Sequence, residues 1–159
     1  MSSLFAESSA LFADIEWRPL RPVDVDAVAI IERGAHLAPW SAGNFSDALA
    51  AGYAMLIAQF GSDLLGYGVL MLAPGEAQLL NLTVAPQFRR KGIGRAIMRR
   101  MLDDARRSGA TQCFLEVRMS NTGAVQLYLA EGFAPVARRP SYYPATKGRE
   151  DALVMRAEL

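Results

Sequence analysis

Apolar residues recur along the chain with two different periods, and these periods predict the order of the secondary-structure elements. A period of two over residues 80–84 is typical of a strand, and Pro86 ends it because proline has no amide hydrogen to donate. From Ile93 the period becomes helical, with one apolar face and one arginine-rich face, until Gly109 supplies a stop. We expect the rest of the chain to fold around this strand, turn and helix.

Further elements are predicted on both sides of this segment. Those before it are a strand over 15–20, a helix from 23 to 33 or 34, a helix N-capped by Ser41 and ending near Gly52, and strands over 53–59 and 64–72. Those after it are a strand over 113–117, a helix over 122–130 capped by Asn121, and strands over 133–138 and 152–156. Short turns join neighbouring strands, so the predicted fold is mixed α/β, with a mostly antiparallel central sheet flanked by helices.

The composition suits one folded domain. With 52% hydrophobic residues among 159, the chain can bury a single substantial core, and we expect one domain over residues 15–159. Residues 1–14 have no basic leader, and serine and glutamate interrupt their apolar positions. This segment is therefore expected to be a disordered extension, and neither a signal peptide nor a membrane span. A cytoplasmic protein is the resulting prediction.

The single cysteine excludes two kinds of site. Cys113 has no second cysteine with which to form an internal disulfide. No Cys or His neighbours lie at the spacing of metal ligands. The expectation is a buried thiol and no metal.

Charge is unevenly distributed along the chain, although the formal net charge is only +1. Residues 1–88 carry 3 basic and 9 acidic groups, residues 89–107 carry 8 and 2, and residues 108–159 carry 6 and 5, which gives −6, +6 and +1. A basic segment this compact favours a phosphorylated small ligand, because a nucleic-acid binder would be basic more broadly. The acidic first half favours a cationic substrate.

The basic segment begins with a glycine-containing turn at the start of the predicted helix. Arg89, Arg90 and Lys91 stand where the helix dipole is already positive, so their charge is explained if an anion binds there. Gly92 and Gly94 would let backbone amides approach phosphate oxygens. A solvated basic face is the alternative interpretation. The pattern is neither a Walker loop nor a complete dinucleotide fingerprint, so another phosphate ligand is implied.

Several stretches of the chain resemble a known family. Arg89-Arg90-Lys91-Gly92-Ile93-Gly94 is similar to the Arg/Gln-x-x-Gly-x-Gly/Ala signature of the GNAT N-acetyltransferases. Residues 115–121, 127–128, 131–133, 142–144 and 148–152 resemble the RimI group of that family, the ribosomal-protein alanine N-acetyltransferases. The resemblance runs from about Arg18 to the C-terminus and is strongest after Asn81. It implies the GNAT acyl-CoA N-acyltransferase fold, with acetyl-CoA as cosubstrate.

The resemblance also assigns catalytic roles. Glu116 matches the family's general base and Tyr128 its general acid, which protonates the departing thiolate. Periodicity alone favours a solvent-facing Glu116 and a core position for Tyr128. Asn121 is predicted mainly to cap a helix, and the resemblance implies that it also contacts the coenzyme. The complete set of cofactor-binding residues that the resemblance implies is Leu82, Thr83, Val84, Arg89, Arg90, Lys91, Gly92, Ile93, Gly94, Arg95 and Asn121.

The acceptor side of the site is assigned to aromatic loops. His36 and Trp40 lie in one such loop and Tyr142 in another, and by resemblance they bind the acceptor peptide. His36 has no evident acidic partner in the sequence, so a packing or loop role is favoured over that of a base. Trp40 and Tyr142 are equally consistent with core aromatics.

The type of acceptor can be weighed by pKa. An α-amine of pKa about 7.7 to 8.0 is roughly a tenth neutral at pH 7, whereas a lysine of about 10.4 is almost entirely charged. One carboxylate base therefore suits an N-terminal amine better. The resemblance implies the N-terminal alanine of ribosomal protein S-eighteen, a basic protein, with no direct nucleic acid and no membrane as partners. The alternatives are a GNAT enzyme acting on lysines or a small amine, and a non-catalytic acetyl-CoA sensor.

Overall fold

The computed structural model of the protein describes residues 12–159. The strands in this part of the chain are β1 (Glu16–Pro19), β2 (Ala54–Phe60), β3 (Asp63–Ala73), β4 (Glu76–Val84), β5 (Gln112–Arg118), β6 (Ala134–Pro144) and β7 (Arg149–Glu158). The helices are α1 (Val25–Ala35), α2 (Ala42–Ala50), α3 (Ile93–Arg107) and α4 (Thr122–Ala130), and short 3-10 turns lie at Pro22–Asp24 and Pro86–Phe88.

The strands form one sheet in the order β1-β2-β3-β4-β5-β7-β6. Strands β4 and β5 pair in parallel, as their connection through α3 requires, and every other neighbouring pair is antiparallel. The predicted mixed α/β class with a mostly antiparallel sheet is thus confirmed.

The helix starts follow from local hydrogen bonds that the sequence predicts. The Ser41 hydroxyl accepts a bond from the Asn44 amide at 3.1 Å, and the Asn44 side chain accepts one from the Ser41 amide at 2.9 Å. The Asn121 carboxamide likewise accepts a bond from the Ala124 amide at 3.3 Å. Both predicted caps are confirmed, and each satisfies backbone donors that a helix start leaves unpaired.

The sheet separates two apolar clusters. Helices α3 and α4 cover one face, where Ile97 and Met101 pack with Leu115 and Met155. Helices α1 and α2 cover the other face, where the buried residues are Leu20, Val25, Val28, Phe45, Ala48, Met55, Ile57, Tyr67 and Val69. Cys113 belongs to the α3 side as a free, buried thiol, and burial raises its pKa to about 11. The prediction of a core thiol is confirmed.

Strands β4 and β5 separate after a short paired stretch. Their pairing runs from Glu76 with Gln112 to Leu79 with Leu115, although both strands continue further. The separation begins where the register of β4 against β3 shifts, so that Leu80 is an extra residue between the pairs of Leu79 and Asn81. Such a bulge bends the strand that carries it. A gap therefore opens in the middle of the sheet.

One part of the predicted layout is wrong. Residues 142–144 are not a loop, because β6 extends beyond the predicted end at 138 and runs to Pro144. Its register against β7 is irregular between Arg139 and Tyr143, and it is the outermost strand, which tolerates Pro140. Aromatic residues 142 and 143 are thus held by a strand.

The prediction for residues 1–14 falls mostly on residues 1–11, which lie outside the described residues. Phe12 is described, and it packs against the cluster on the α3 side. Within residues 12–159 no helix is long and apolar enough to cross a membrane.

Candidate active site

A small cavity of about 180 Å³ lies at the gap between β4 and β5. Six of the predicted site residues line it, namely His36, Trp40, Leu82, Glu116, Asn121 and Tyr128. Tyr142 is not among its lining residues, whereas its neighbour Tyr143 is. A larger groove of about 790 Å³ lies between β1, β2 and α3, and it contains neither Glu116 nor Tyr128. The chemistry predicted from sequence therefore converges on the smaller cavity.

The cavity reaches both faces of the sheet. Glu116 alternates with Leu115 and Val117, which belong to the cluster on the α3 side, so Glu116 points to the α1 side. His36, at the end of α1, lines the cavity from the same side. Tyr128 belongs to α4 and packs in the cluster on the opposite face. Two ligands entering from opposite faces would therefore meet in the gap.

The basic turn has the geometry of an anion site. Gly92 precedes α3 with φ +82°, and Arg90 also has a positive φ of 61°. The helix start has no side-chain cap and no acidic residue in its first turn. Arg89, Arg90 and Lys91 are exposed and form no ion pair with any residue of 12–159. Unpaired amides and cations at a helix start favour an anionic ligand.

Other members of the predicted coenzyme site are placed differently. The Ile93 side chain is buried in the core, so only its backbone could face a ligand. The Arg95 guanidinium lies 3.1 Å from a carboxylate oxygen of Glu131, which also pairs with Arg99 at 2.9 Å. Arg95 is therefore already engaged, and the turn before Gly92 carries the free positive charge.

Strand β4 presents backbone to the gap. After Leu79 its edge no longer pairs with β5, and Leu82, Thr83 and Val84 follow on this stretch. Their side chains alternate, with Thr83 buried on the α1 side, while Leu82 and Val84 pack against the α3 cluster. Within residues 12–159, β5 therefore offers no backbone partner to this stretch, and Val84 O accepts a hydrogen bond from Arg89 Nε at 3.5 Å.

Glu116 is a partly buried carboxylate with a cationic neighbour. Its side chain is 17% exposed, and its carboxylate lies 2.9 Å from the Arg139 guanidinium on β6. A hydrogen bond to Glu116, together with burial, raises the pKa of Tyr142 above its usual value. Arg139 also stacks over the Tyr142 ring. Sequence reasoning missed Arg139, which only the β6 register brings to the site.

Tyr128 is buried among apolar groups. Its ring packs edge-on against Phe133 with 5.9 Å between centroids. Burial raises the pKa of Tyr128 to about 12, because the phenolate would lose its hydration. The phenol therefore remains protonated at neutral pH, which is the state that a proton donor needs.

Two aromatic side chains, Trp40 and Tyr143, also line the cavity. Trp40 packs against Phe45 with 5.2 Å between centroids, which fixes the loop after α1. Tyr143 lies under the Arg118 guanidinium, and burial raises its pKa to about 12. Arg118 is itself paired with Glu150 at 2.8 Å. These contacts hold Trp40 and Tyr143 in place in the cavity wall.

A buried polar network adjoins the cavity next to His36. The His36 Nε2 atom lies 2.7 Å from the Thr83 hydroxyl and 3.2 Å from a carboxylate oxygen of Glu32, which is only 1% exposed. Glu32 also accepts hydrogen bonds from Asn81 and Tyr67. The statement that His36 has no acidic partner is therefore wrong. Glu32 stands four residues before His36 on α1, and this spacing was the available signal.

Comparison with known proteins agrees with this geometry. The acetyltransferase (GNAT) family model matches residues 14–133. A relative from Escherichia coli, a ribosomal protein bS18-alanine N-acetyltransferase, is 35% identical over 136 residues, which are 86% of this chain and 92% of the relative.

Solved structures give the same result. The crystal structure of the ribosomal-protein alanine N-acetyltransferase from Escherichia coli superposes with a TM-score of 0.86 at 33% identity, covering 91% of this chain and 93% of that one. A putative acetyltransferase from Salmonella typhimurium, solved with its cofactor acetyl-CoA, shares the fold with a TM-score of 0.77 at 20% identity, covering 92% and 94%. The chain therefore belongs to the acetyltransferase (GNAT) family.

Proposed function

We propose that the protein transfers the acetyl group of acetyl-CoA to the N-terminal α-amine of a protein, and that the alanine at the start of ribosomal protein bS18 is its acceptor. The observation that carries the proposal is the gap between β4 and β5, which is lined by Glu116 from one face and Tyr128 from the other. The similarity to bS18-alanine N-acetyltransferases supports the choice of acceptor. The cytoplasm is the proposed location, and no metal takes part in the proposed chemistry.

Acetyl-CoA would enter from the α3 side. Its pyrophosphate would bind the amides before α3 together with Arg89, Arg90 and Lys91, which are exposed there. Its extended arm would pair with the free edge of β4 beyond Leu79, and a β4 amide would polarise the thioester carbonyl. The acetyl group would then lie in the gap, in reach of both faces.

The acceptor amine would enter from the α1 side. A neutral amine attacks the carbonyl carbon, Glu116 accepts a proton from the nitrogen, and the C–S bond breaks as the tetrahedral intermediate collapses. Tyr128 donates its phenolic proton to the departing sulfur. A pKa of about 12 makes this phenol a weak acid. The same apolar surroundings, however, also raise the pKa of a thiol above its usual value of about 8.5, so the departing thiolate is a stronger base there.

An α-amine suits this site better than a lysine. The free-energy difference between neutralising the two amines at pH 7 is about 3 to 4 kcal/mol, which follows from their reference pKa values. Glu116 already shares its charge with Arg139 at 2.9 Å. A single carboxylate base is therefore better matched to the less basic acceptor.

Mass spectrometry of two peptides tests the proposal. One peptide has a free N-terminal alanine followed by basic residues and no lysine, and its partner is N-blocked and carries one lysine. Incubation with acetyl-CoA should acetylate only the first peptide. Acetylation of the blocked peptide alone would instead identify a lysine acetyltransferase, and modification of neither would reject a protein acceptor of this kind.

A further inference from the structure

We infer that His36 is a second proton acceptor of the active site, which takes the first proton from the incoming α-ammonium group while Glu32 holds its imidazole in the required tautomer. This inference rests on the proposed function. It assigns His36 a chemical role in addition to contact with the acceptor.

The proton count of the reaction calls for two acceptors. The amine arrives as an ammonium ion, R–NH₃⁺, and leaves as an amide, R–NH–CO–CH₃, so its nitrogen loses two protons. One proton must leave before attack, because an ammonium nitrogen has no lone pair. The second leaves after attack, when the nitrogen is again cationic. The thiolate takes up one proton and one is released to solvent. Glu116 alone would have to serve both steps in succession.

The hydrogen bonds of the network fix the tautomer of His36. The Glu32 carboxylate can only accept, so the amide nitrogen of Asn81 faces it, 3.0 Å from both oxygens. The Asn81 carbonyl oxygen then accepts the single hydroxyl proton of Thr83 at 2.7 Å. The Thr83 oxygen, 2.7 Å from His36 Nε2, must therefore accept from an Nε2–H group. The remaining nitrogen, Nδ1, carries a lone pair that the network does not use.

His36 is placed to meet the acceptor. Its side chain is 36% exposed and lines the cavity, whereas its network partners Glu32, Asn81 and Thr83 are buried. It contacts Thr83 on β4, while Glu116 stands on β5, so the two candidate acceptors flank the gap on the same face of the sheet. An amine in the gap has one of them on each side.

The charges around His36 favour transient protonation. Burial lowers the pKa of the imidazole below its ordinary value, and the nearby Arg89 and Arg118 guanidinium groups act in the same direction. The Glu32 carboxylate, 3.2 Å from Nε2, acts against them by stabilising the imidazolium. Tyr67 remains a neutral phenol, since burial raises its pKa. His36 is therefore neutral at pH 7, and once protonated it releases the proton readily to solvent.

The balance of the step is simple. The ammonium N–H bond breaks, an Nδ1–H bond forms, and the imidazolium is paired with Glu32. The neutral amine then attacks the thioester carbonyl, and Glu116 takes the second proton. Tyr128 protonates the departing sulfur and regains a proton from Glu116 through water, and His36 returns its proton to water. No oxidant or metal is required.

The pH profile of His36→Gln tests the inference. The glutamine amide can keep a hydrogen bond to Thr83, but it cannot accept a proton. With the alanine peptide, kcat/KM should fall about tenfold at pH 7, where roughly a tenth of the amine is already neutral, and approach the wild-type value near pH 9. The KM for acetyl-CoA should not change. Glu116→Gln is the matched comparison. Its kcat/KM should remain below the wild-type value at pH 9, because the second proton still needs an acceptor.

A purely structural role gives a different result. If His36 only positions Thr83 or the peptide, the deficit of His36→Gln will be the same at both pH values, and the inference is wrong. It is also wrong if the variant matches the wild type throughout.

Nuclear magnetic resonance provides a readout that needs no substrate. The chain has one histidine, so histidine labelled with ¹⁵N in untagged protein reports only on His36. The expected neutral form is Nε2–H, and Glu32→Gln should lower the pKa of His36 because it removes the stabilising charge. An Nδ1–H form would overturn the inference. If the wild type acetylates no N-terminal peptide, the proposed function fails first, and the assigned role of His36 fails with it, even where the tautomer is as expected.

Discussion

Tyr128 carries the most direct test at the residue scale. Removing its hydroxyl in Tyr128→Phe leaves the ring, its contact with Phe133 and the apolar cluster in place. Turnover should fall by about 10² or more, since positioned proton donors contribute on the order of 10²- to 10⁴-fold. The affinity for acetyl-CoA should change little. Steady-state kinetics and calorimetric titration with acetyl-CoA measure the two effects.

Tyr53→Phe provides the control for this substitution. Tyr53 packs against the cluster on the α1 side and is not part of the cavity between β4 and β5. Wild-type turnover in this variant with a large loss in Tyr128→Phe supports the acid role. Equal turnover in the two variants would remove Tyr128 from the mechanism.

Two residues of β4 show why part of the site could not be predicted from the sequence. The predicted strand alternates Leu80, Leu82 and Val84 with Asn81 and Thr83, which suggests a buried apolar face. The structure buries Asn81 and Thr83 to 9% and 3% exposure instead. Their polar atoms are acceptable there because Glu32 and His36 pair with them. The residues that make this network come from separate elements, so no local pattern reveals it.

The turn that begins α3 is tested at the scale of an element. Gly92 has φ +82°, and a Cβ at this position would also stand 3.4 Å from the Phe12 ring. Gly92→Ala should lower the free energy of unfolding by about 1 to 2 kcal/mol, which is the cost of holding a residue with a Cβ in the left-handed backbone conformation. It should also raise the KM for acetyl-CoA severalfold, because the amides of the turn shift. Urea unfolding and steady-state kinetics measure the two quantities.

Gly61→Ala is the matched control for the turn. Gly61 has φ +57° in the connection between β2 and β3, with no atom within 4 Å of the added Cβ. It should show a comparable loss of stability with an unchanged KM for acetyl-CoA. If the KM for acetyl-CoA rose equally in both variants, the loss of stability, and not a change in phosphate binding, would explain the increase.

Most elements could be predicted because their signals are local. The capping residues Ser41 and Asn121 mark the starts of α2 and α4, and the period change at Ile93 marks α3. Strand β6 could not be predicted in full, since Pro140 and residues 141–144 have the composition of a loop. Pairing with β7 keeps them extended, and this is a long-range contact. The misplacement of Tyr142 in a loop followed from that error.

At the scale of the whole molecule, the buried Glu32 makes stability depend on pH. Burial raises the pKa of Glu32 above its ordinary value, so between that value and the raised one the folded protein binds more protons than the unfolded chain. Its contribution is fully present below the unfolded pKa of about 4.3 and is lost as pH rises through the folded pKa. Glu32→Gln has no carboxylate to ionise. Its stability relative to wild type should therefore increase with pH above about 4.3 and then level off.

Urea unfolding of both proteins at a series of pH values measures this difference. His36 contributes with the opposite sign, since its lowered pKa makes stability fall as pH drops below about 6.5. Because Glu32→Gln lowers the pKa of His36 further, this loss is larger in the variant. The His36 contribution therefore also makes the stability of the variant relative to wild type increase with pH. A stability difference that does not vary with pH would contradict the assigned protonation behaviour of Glu32.

The gap between β4 and β5 leaves the free protein with an incomplete sheet. Each interior strand edge normally satisfies its amides and carbonyls with a neighbour, but here two edges face each other across a space too wide for direct pairing. A ligand whose arm carries amides would act as a short strand inserted at this place. Under the proposed function the coenzyme is then part of the fold as well as a reactant, and at a hundred times its dissociation constant it would stabilise the protein by about 2.7 kcal/mol. In a cell with little acetyl-CoA, most of this protein would be in the free form, which is the less stable one.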